Sequence, residues 1–130
     1  MEGGEIPLAE LVFDHTILVA FDFDGTLTME DELGKPFRLN YGALEWVKMI
    51  QELPVETCLW SCRHSKALYE AVEALYNAGI VFDYINEDNG LRNSGRKINV
   101  DVYVDDKANT GIDWPNVYRR VQQLCMRRDD

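Results

Sequence analysis

Apolar and polar positions along the chain switch between a strand-like and a helix-like period. Thr16-Ile17-Leu18-Val19-Ala20-Phe21-Asp22-Phe23 is almost continuously apolar, the pattern of a strand covered on both faces in a parallel sheet. It ends in Asp24-Gly25-Thr26. The polar stretch from Thr28 to Leu39 contains Gly34 and Pro36 and reads as a loop. Asn40 is placed to cap a helix running to about Leu53, with Leu44, Val47, Met49, Ile50 and Leu53 as its apolar stripe and Pro54 as its stop. Val55 to Trp60 predicts a second strand. Ser65 is a candidate cap for a helix carrying Leu68, Ala71, Val72, Leu75 and Tyr76 to a stop at Gly79. Ile80 to Ile85 predicts a third strand, and Asn86 to Lys97 an irregular segment. Ile98, Val100, Val102 and Val104 alternate with Asn99, Asp101 and Tyr103, a two-residue period that predicts a strand with one wetter face. Trp114-Pro115 reads as a turn into a closing amphipathic helix with Val117, Val121 and Leu124 on its apolar side.

Strands alternating with helical segments point to an α/β layer fold with parallel strands. Such sheets bind ligands beyond the carboxyl ends of their strands. A length of 130 residues suits one domain, and 46% apolar content supplies its core without a metal or disulfide staple. A net charge of −10 disfavours broad attachment to nucleic acid or anionic lipid. Three cysteines, Cys58, Cys62 and Cys125, with no basic and apolar leader, lead to the expectation of reduced thiols in the cytoplasm. The longest apolar run, Ile17 to Phe21, is too short to span a membrane.

Acidic pairs sit at the ends of the first and last clear strands. Asp22 and Asp24 are two residues apart, so continued strand geometry sends both side chains from one face. Asp105 and Asp106 close another strand and emerge at the same edge of a parallel sheet. Two such charges about 4 Å apart repel by roughly 4 kcal/mol at an effective dielectric near 20, so the cluster calls for a cation or a retained proton. Magnesium suits it, since this ion takes one or two carboxylates and keeps positions for water and a substrate phosphate.

The run Val19-Ala20-Phe21-Asp22-Phe23-Asp24-Gly25-Thr26-Leu27-Thr28 resembles the first motif of the haloacid dehalogenase superfamily, a strand followed by Asp-x-Asp-Gly-Thr. That family also places a Ser or Thr at the end of a second strand, a Lys before the last strand and paired acids after it. Ser61, Lys97 and Asp105-Asp106 stand in that order here. The resemblance implies a single Rossmann-like three-layer domain over residues 1–130, with a mainly parallel sheet, an N-terminal extension over 1–15 and a loop over the site at 28–39. The interval between Asp24 and the first helix, and that between Ser61 and Lys97, leave no room for a cap domain.

The implied activity is a magnesium-dependent phosphohydrolase acting on phosphomonoesters through an aspartyl-phosphate. Asp22 is then the nucleophile and Asp24 the general acid and base. Ser61 and Lys97 hold the phosphoryl group, with Arg63 a further candidate. Asp22, Asp105, Asp106 and the backbone carbonyl of Asp24 are the candidate magnesium ligands. An acid at position 24 suits a leaving alkoxide that must be protonated, and so favours phosphatase over dehalogenase chemistry. The expected partner is a phosphorylated small molecule or an accessible macromolecular phosphate, with a homo-oligomer open as a further arrangement. Three alternatives stay open: a phospho-accepting domain of receiver type, in which, however, the Lys follows the accepting Asp near the chain end; a non-catalytic interaction protein on the same fold; and a nucleic-acid end phosphatase with a local basic groove.

Overall fold

The first apolar run forms β1, Ile17–Asp22, whose residues 17–21 are all buried. The structure is a computed structural model that describes residues 16–29, 37–86, 100–105 and 112–129. In chain order β1 is followed by α1 (Tyr41–Gln51), β2 (Val55–Trp60), α2 (Ser65–Asn77), β3 (Tyr84–Ile85), β4 (Val102–Val104) and α3 (Trp114–Asp129). The four strands make one sheet in the order β3-β2-β1-β4, and every pairing is parallel. This is a Rossmann-like α/β arrangement, and it accounts for the apolar character of β1, which is flanked by strands on both sides. Ile17 lies opposite Val55, and Phe21 lies between Leu59 and Val104.

Alternate residues of β1 serve two separate clusters. Ile17, Val19 and Phe21 join Leu59 and Val104 with apolar residues from all three helices, among them Leu44, Val47, Leu75 and Val121. Leu18 and Ala20 join Cys58 on the other face, with Trp60, Tyr84 and Val100 packed around them. The described residues therefore make two layers, and the second helical layer of the expected three-layer arrangement is not among them. Among the described residues no helix is long and apolar enough to cross a membrane.

Several boundaries differ from the sequence expectation, each for a local reason. The strand expected over 80–85 is reduced to Tyr84–Ile85, and that expected over 98–104 to Val102–Val104, residues 98–99 lying outside the described residues. Where each of these two strands begins, an aspartate carboxylate replaces the backbone ladder. Asp101 Oδ2 accepts the Leu18 N–H at 2.8 Å while the Asp101 N–H donates to the Leu18 carbonyl at 2.9 Å. Asp83 Oδ2 accepts the Thr57 N–H at 2.8 Å while the Asp83 N–H donates to the Thr57 carbonyl at 2.9 Å.

The helices start and stop largely as expected. Asn40 caps α1 by accepting the Ala43 N–H at 3.2 Å, but Met49 is 41% exposed and stands outside the apolar stripe. Ser65 is not the cap of α2. His64 holds that position without a side-chain capping bond, and Ser65 adopts φ 55°. Gly79 ends the helix at φ +89°, a conformation that a glycine takes without strain. Trp114 is already helical, with Asp113 Oδ1 accepting the Asn116 N–H at 3.2 Å and Pro115 in the first turn.

Candidate functional site

The carboxyl ends of β1, β2 and β4 bring the site together. Phe21 is in register with Val104, so Asp22 and Asp105 each follow this pair at the same carboxyl edge of two adjoining strands. Both are half-buried. By alternation they share the face of Leu18, Ala20 and Tyr103. Tyr103 registers the charge there: its hydroxyl is pushed up to about 12, first by burial and then by the negative charges of Asp22 and Asp105. It is therefore a neutral phenol, able to donate a hydrogen bond, throughout the physiological range.

Asp24 does not continue the strand. β1 ends at Asp22, and Asp24 enters a tight turn in which Thr26 N–H and Leu27 N–H both donate to the Phe23 carbonyl, at 3.2 and 2.9 Å. Gly25 adopts φ +82°, and its N–H donates to Thr28 Oγ1 at 2.9 Å. A Cβ at Gly25 would meet nothing within 4 Å among the described residues, so the glycine answers to backbone conformation. Phe23 is fully buried and anchors the turn. The Thr26 hydroxyl is buried and finds no hydrogen-bond partner among the described residues.

The segment leaving the turn comes back onto the site. Thr28 and Leu39 form an antiparallel bridge, and Asn40 N–H donates to the Leu27 carbonyl at 2.8 Å. Phe37 is thereby set edge-on against Phe23, with ring centroids 5.2 Å apart. Met29, Phe37, Arg38 and Tyr41 line an open groove beside this aromatic pair.

Ser61 follows β2 directly and is at the margin of burial, 9% exposed. Its N–H donates to Asn86 Oδ1 at 2.7 Å, and the Asn86 N–H donates to the Leu59 carbonyl at 2.8 Å. Asn86 holds this clamp at φ 56°, a left-handed conformation that asparagine tolerates better than most residues. Ser61 Oγ accepts the Arg63 N–H at 3.0 Å, which leaves its own hydroxyl hydrogen to donate outward.

Arg63 and Asp24 form the most developed contact of the site. Arg63 Nε lies 2.9 Å from Asp24 Oδ2 and 3.2 Å from Oδ1, and Nη2 lies 2.8 Å from Oδ1. The guanidinium stands 5.2 Å from the Phe23 ring centroid and 5.0 Å from that of Phe37, within the range of cation–π attraction. Hydrogen bonding to Asp24 and its charge raise the Arg63 pKa against the opposing effect of burial. His64 and Cys62 beside it are exposed.

Of the residues singled out from sequence, Asp22, Asp24, Ser61, Arg63 and Asp105 all fall at this carboxyl edge. Lys97 and Asp106 lie outside the described residues. Among the described residues no group of three or more His, Cys, Asp or Glu side chains is set to hold a metal ion; Asp22 and Asp105, at the ends of adjoining strands, are the pair that could contribute to one. Sequence reasoning does not reach Asn86, Tyr103 or Phe37. Asn86 carries a signal, since a left-handed asparagine just after a strand is a recurrent turn residue, whereas Phe37 reaches the site only because a loop folds back.

No protein-family model matches the sequence, and no curated protein does. Among solved structures, the fold superposes on a conserved protein from Bacteroides thetaiotaomicron with a TM-score of 0.69 and 30% sequence identity, covering 85% of this chain and 93% of that one. The chain belongs to the same family as that conserved Bacteroides protein.

Proposed function

We propose that the chain is a magnesium-dependent phosphohydrolase of the haloacid dehalogenase type, cleaving phosphomonoesters through a phosphoryl group held on Asp22. The observation that carries the reading is the register of β1 against β4, which sets Asp22 beside Asp105 at the carboxyl edge of a parallel sheet, with Asp24 just beyond on a glycine turn.

In the first step an Asp22 carboxylate oxygen attacks phosphorus in line, and the bond from phosphorus to the ester oxygen breaks. Asp24 gives a proton to that departing oxygen. In the second step water attacks the aspartyl-phosphate, Asp24 takes its proton, and inorganic phosphate leaves as the Asp22 carboxylate is restored. Ser61 donates its hydroxyl hydrogen to a phosphoryl oxygen, and Arg63 offers N–H groups to the same oxygens. Lys97 is assigned the remaining charge compensation on the strength of its place in the sequence.

The donor set fits magnesium in kind, since Asp22 and Asp105 offer hard oxygens and carboxylates gathered at one edge call for a cation or a retained proton. Asp106 and the Asp24 carbonyl are the further candidates. Magnesium, when bound, neutralises charge on the phosphoryl group and on the attacking carboxylate. The three thiols at Cys58, Cys62 and Cys125 form no disulfide, which suits a cytoplasmic setting.

The test is phosphate release from an aryl phosphate and a panel of sugar phosphates, nucleotides and 3′-phosphorylated oligonucleotides, with and without chelator. Chelator-sensitive release supports the reading. A stable phospho-protein without turnover would instead favour the phospho-accepting alternative.

A further inference from the structure

We infer that Arg63 is a positioning residue that exchanges partners: it grips Asp24 in the free protein, transfers that grip to an arriving phosphoryl group, and so releases the Asp24 carboxyl toward the leaving oxygen. The inference rests on the phosphate-ester reading above.

The fork as it stands occupies both oxygens of Asp24. Oδ1 receives Nη2 at 2.8 Å and Nε at 3.2 Å, and Oδ2 receives Nε at 2.9 Å. The fork leaves Asp24 spare lone pairs but fixes the plane of its carboxyl group toward Arg63, so turning an oxygen toward a leaving group requires the fork to open. The fork is open to solvent and to exchange, with the Arg63 and Asp24 side chains 23% and 54% exposed. Exposed pairs of this kind hold weakly, well within reach of a competing phosphoryl dianion, which an arginine also binds through two parallel hydrogen bonds.

The surroundings favour a guanidinium that changes partner without leaving its place. Phe23 and Phe37 flank it at 5.2 and 5.0 Å, and these contacts do not depend on which anion it serves. Nη1 and the second hydrogen of Nη2 find no acceptor among the described residues, so the group retains donors for a ligand. Its backbone is already tied to the phosphate side of the site, since the Arg63 N–H donates to Ser61 Oγ at 3.0 Å. Asp24 and Ser61 thus lie on two sides of one arginine, 39 residues apart in sequence in the case of Asp24.

The experiment is a double-mutant cycle on the full chain with magnesium and inorganic phosphate as the probe. Calorimetry of wild type, Asp24→Asn, Arg63→Ala and the double variant gives the affinities. Exchange predicts that Asp24→Asn binds phosphate about two- to fivefold more tightly, the factor equivalent to the loss of an exposed pair, and that this gain vanishes in the Arg63→Ala background. The Arg63 Nε–H resonance, identified by its loss in Arg63→Lys, should shift on phosphate saturation and reach one position in wild type and Asp24→Asn. An equal gain in both backgrounds would mean simple charge repulsion and would overturn the exchange, as would a resonance that saturating phosphate leaves unmoved; phosphate-ester turnover would survive either result. Absence of phosphate binding in every form, together with absence of turnover, would overturn the exchange and the phosphate-ester reading alike. Should Arg63→Ala fail to fold, the resonance comparison decides the matter with wild type and Asp24→Asn alone.

Discussion

Asp101 and Leu18 exchange two hydrogen bonds across the sheet, carboxylate to amide at 2.8 Å and amide to carbonyl at 2.9 Å. This pair fixes the start of β4 against β1, and the register it sets determines that Asp105 emerges beside Asp22. Asp101→Ala leaves the Leu18 N–H without its acceptor, which costs about 1–3 kcal/mol. Asp101→Asn keeps an oxygen acceptor and should lose less. Urea denaturation of the two variants checks the order.

Asn86 makes a comparable clamp on the far side of the site. Asn86→Ala removes the acceptor of the Ser61 N–H and places a Cβ-bearing residue with no compensating side chain at φ 56°. A loss of about 1–3 kcal/mol is expected, measurable as a lowered denaturation midpoint. Under the phosphohydrolase reading, KM for an aryl phosphate should rise as Ser61 loosens.

Gly25→Ala isolates backbone conformation from crowding, because a Cβ there meets nothing within 4 Å among the described residues while φ is +82°. The expected cost is about 1 kcal/mol. Thermal unfolding reads the stability change. Under the phosphohydrolase reading, phosphate release should fall by more than stability alone explains, since this turn carries Asp24.

Tyr103 gives a pH dependence with a definite sign. Its hydroxyl is pushed up to about 12 in the folded protein, first by burial and then by the charges of Asp22 and Asp105, which oppose the phenolate. The unfolded chain gives up this proton near the ordinary value of about 10, so the unfolded state binds fewer protons between these values and stability falls as pH rises through that window. Tyr103→Phe should flatten this part of the curve. Phenolate absorbance followed against pH, compared between the two proteins, locates the titration directly.

Much of this architecture is visible in the pattern of residues because it depends on local signals. The continuous run from Ile17 and the run from Val55 to Trp60 are the central strands, and Asn40 and Gly79 bound helices as their chemistry suggests. Apolar alternation overestimates the edge strands because Asp83 and Asp101 supply ladder hydrogen bonds from side chains, which such a pattern does not register. Asp22 and Asp24 read as one mouth on the assumption of continued strand geometry. The strand stops at Asp22, and Asp24 is turned toward Arg63. That pairing, like the seat of Phe37 on Phe23, joins segments distant in sequence and follows from the path of the loops.

Under the phosphohydrolase reading, Asp22 carries the phosphoryl group. Its most direct test is the rate of phosphate release by Asp22→Asn against wild type, with magnesium and an aryl phosphate. An amide in place of the nucleophilic carboxylate should lower kcat by about a thousandfold or more while the denaturation midpoint stays close to wild type. Turnover by Asp22→Asn at the wild-type rate would contradict the account.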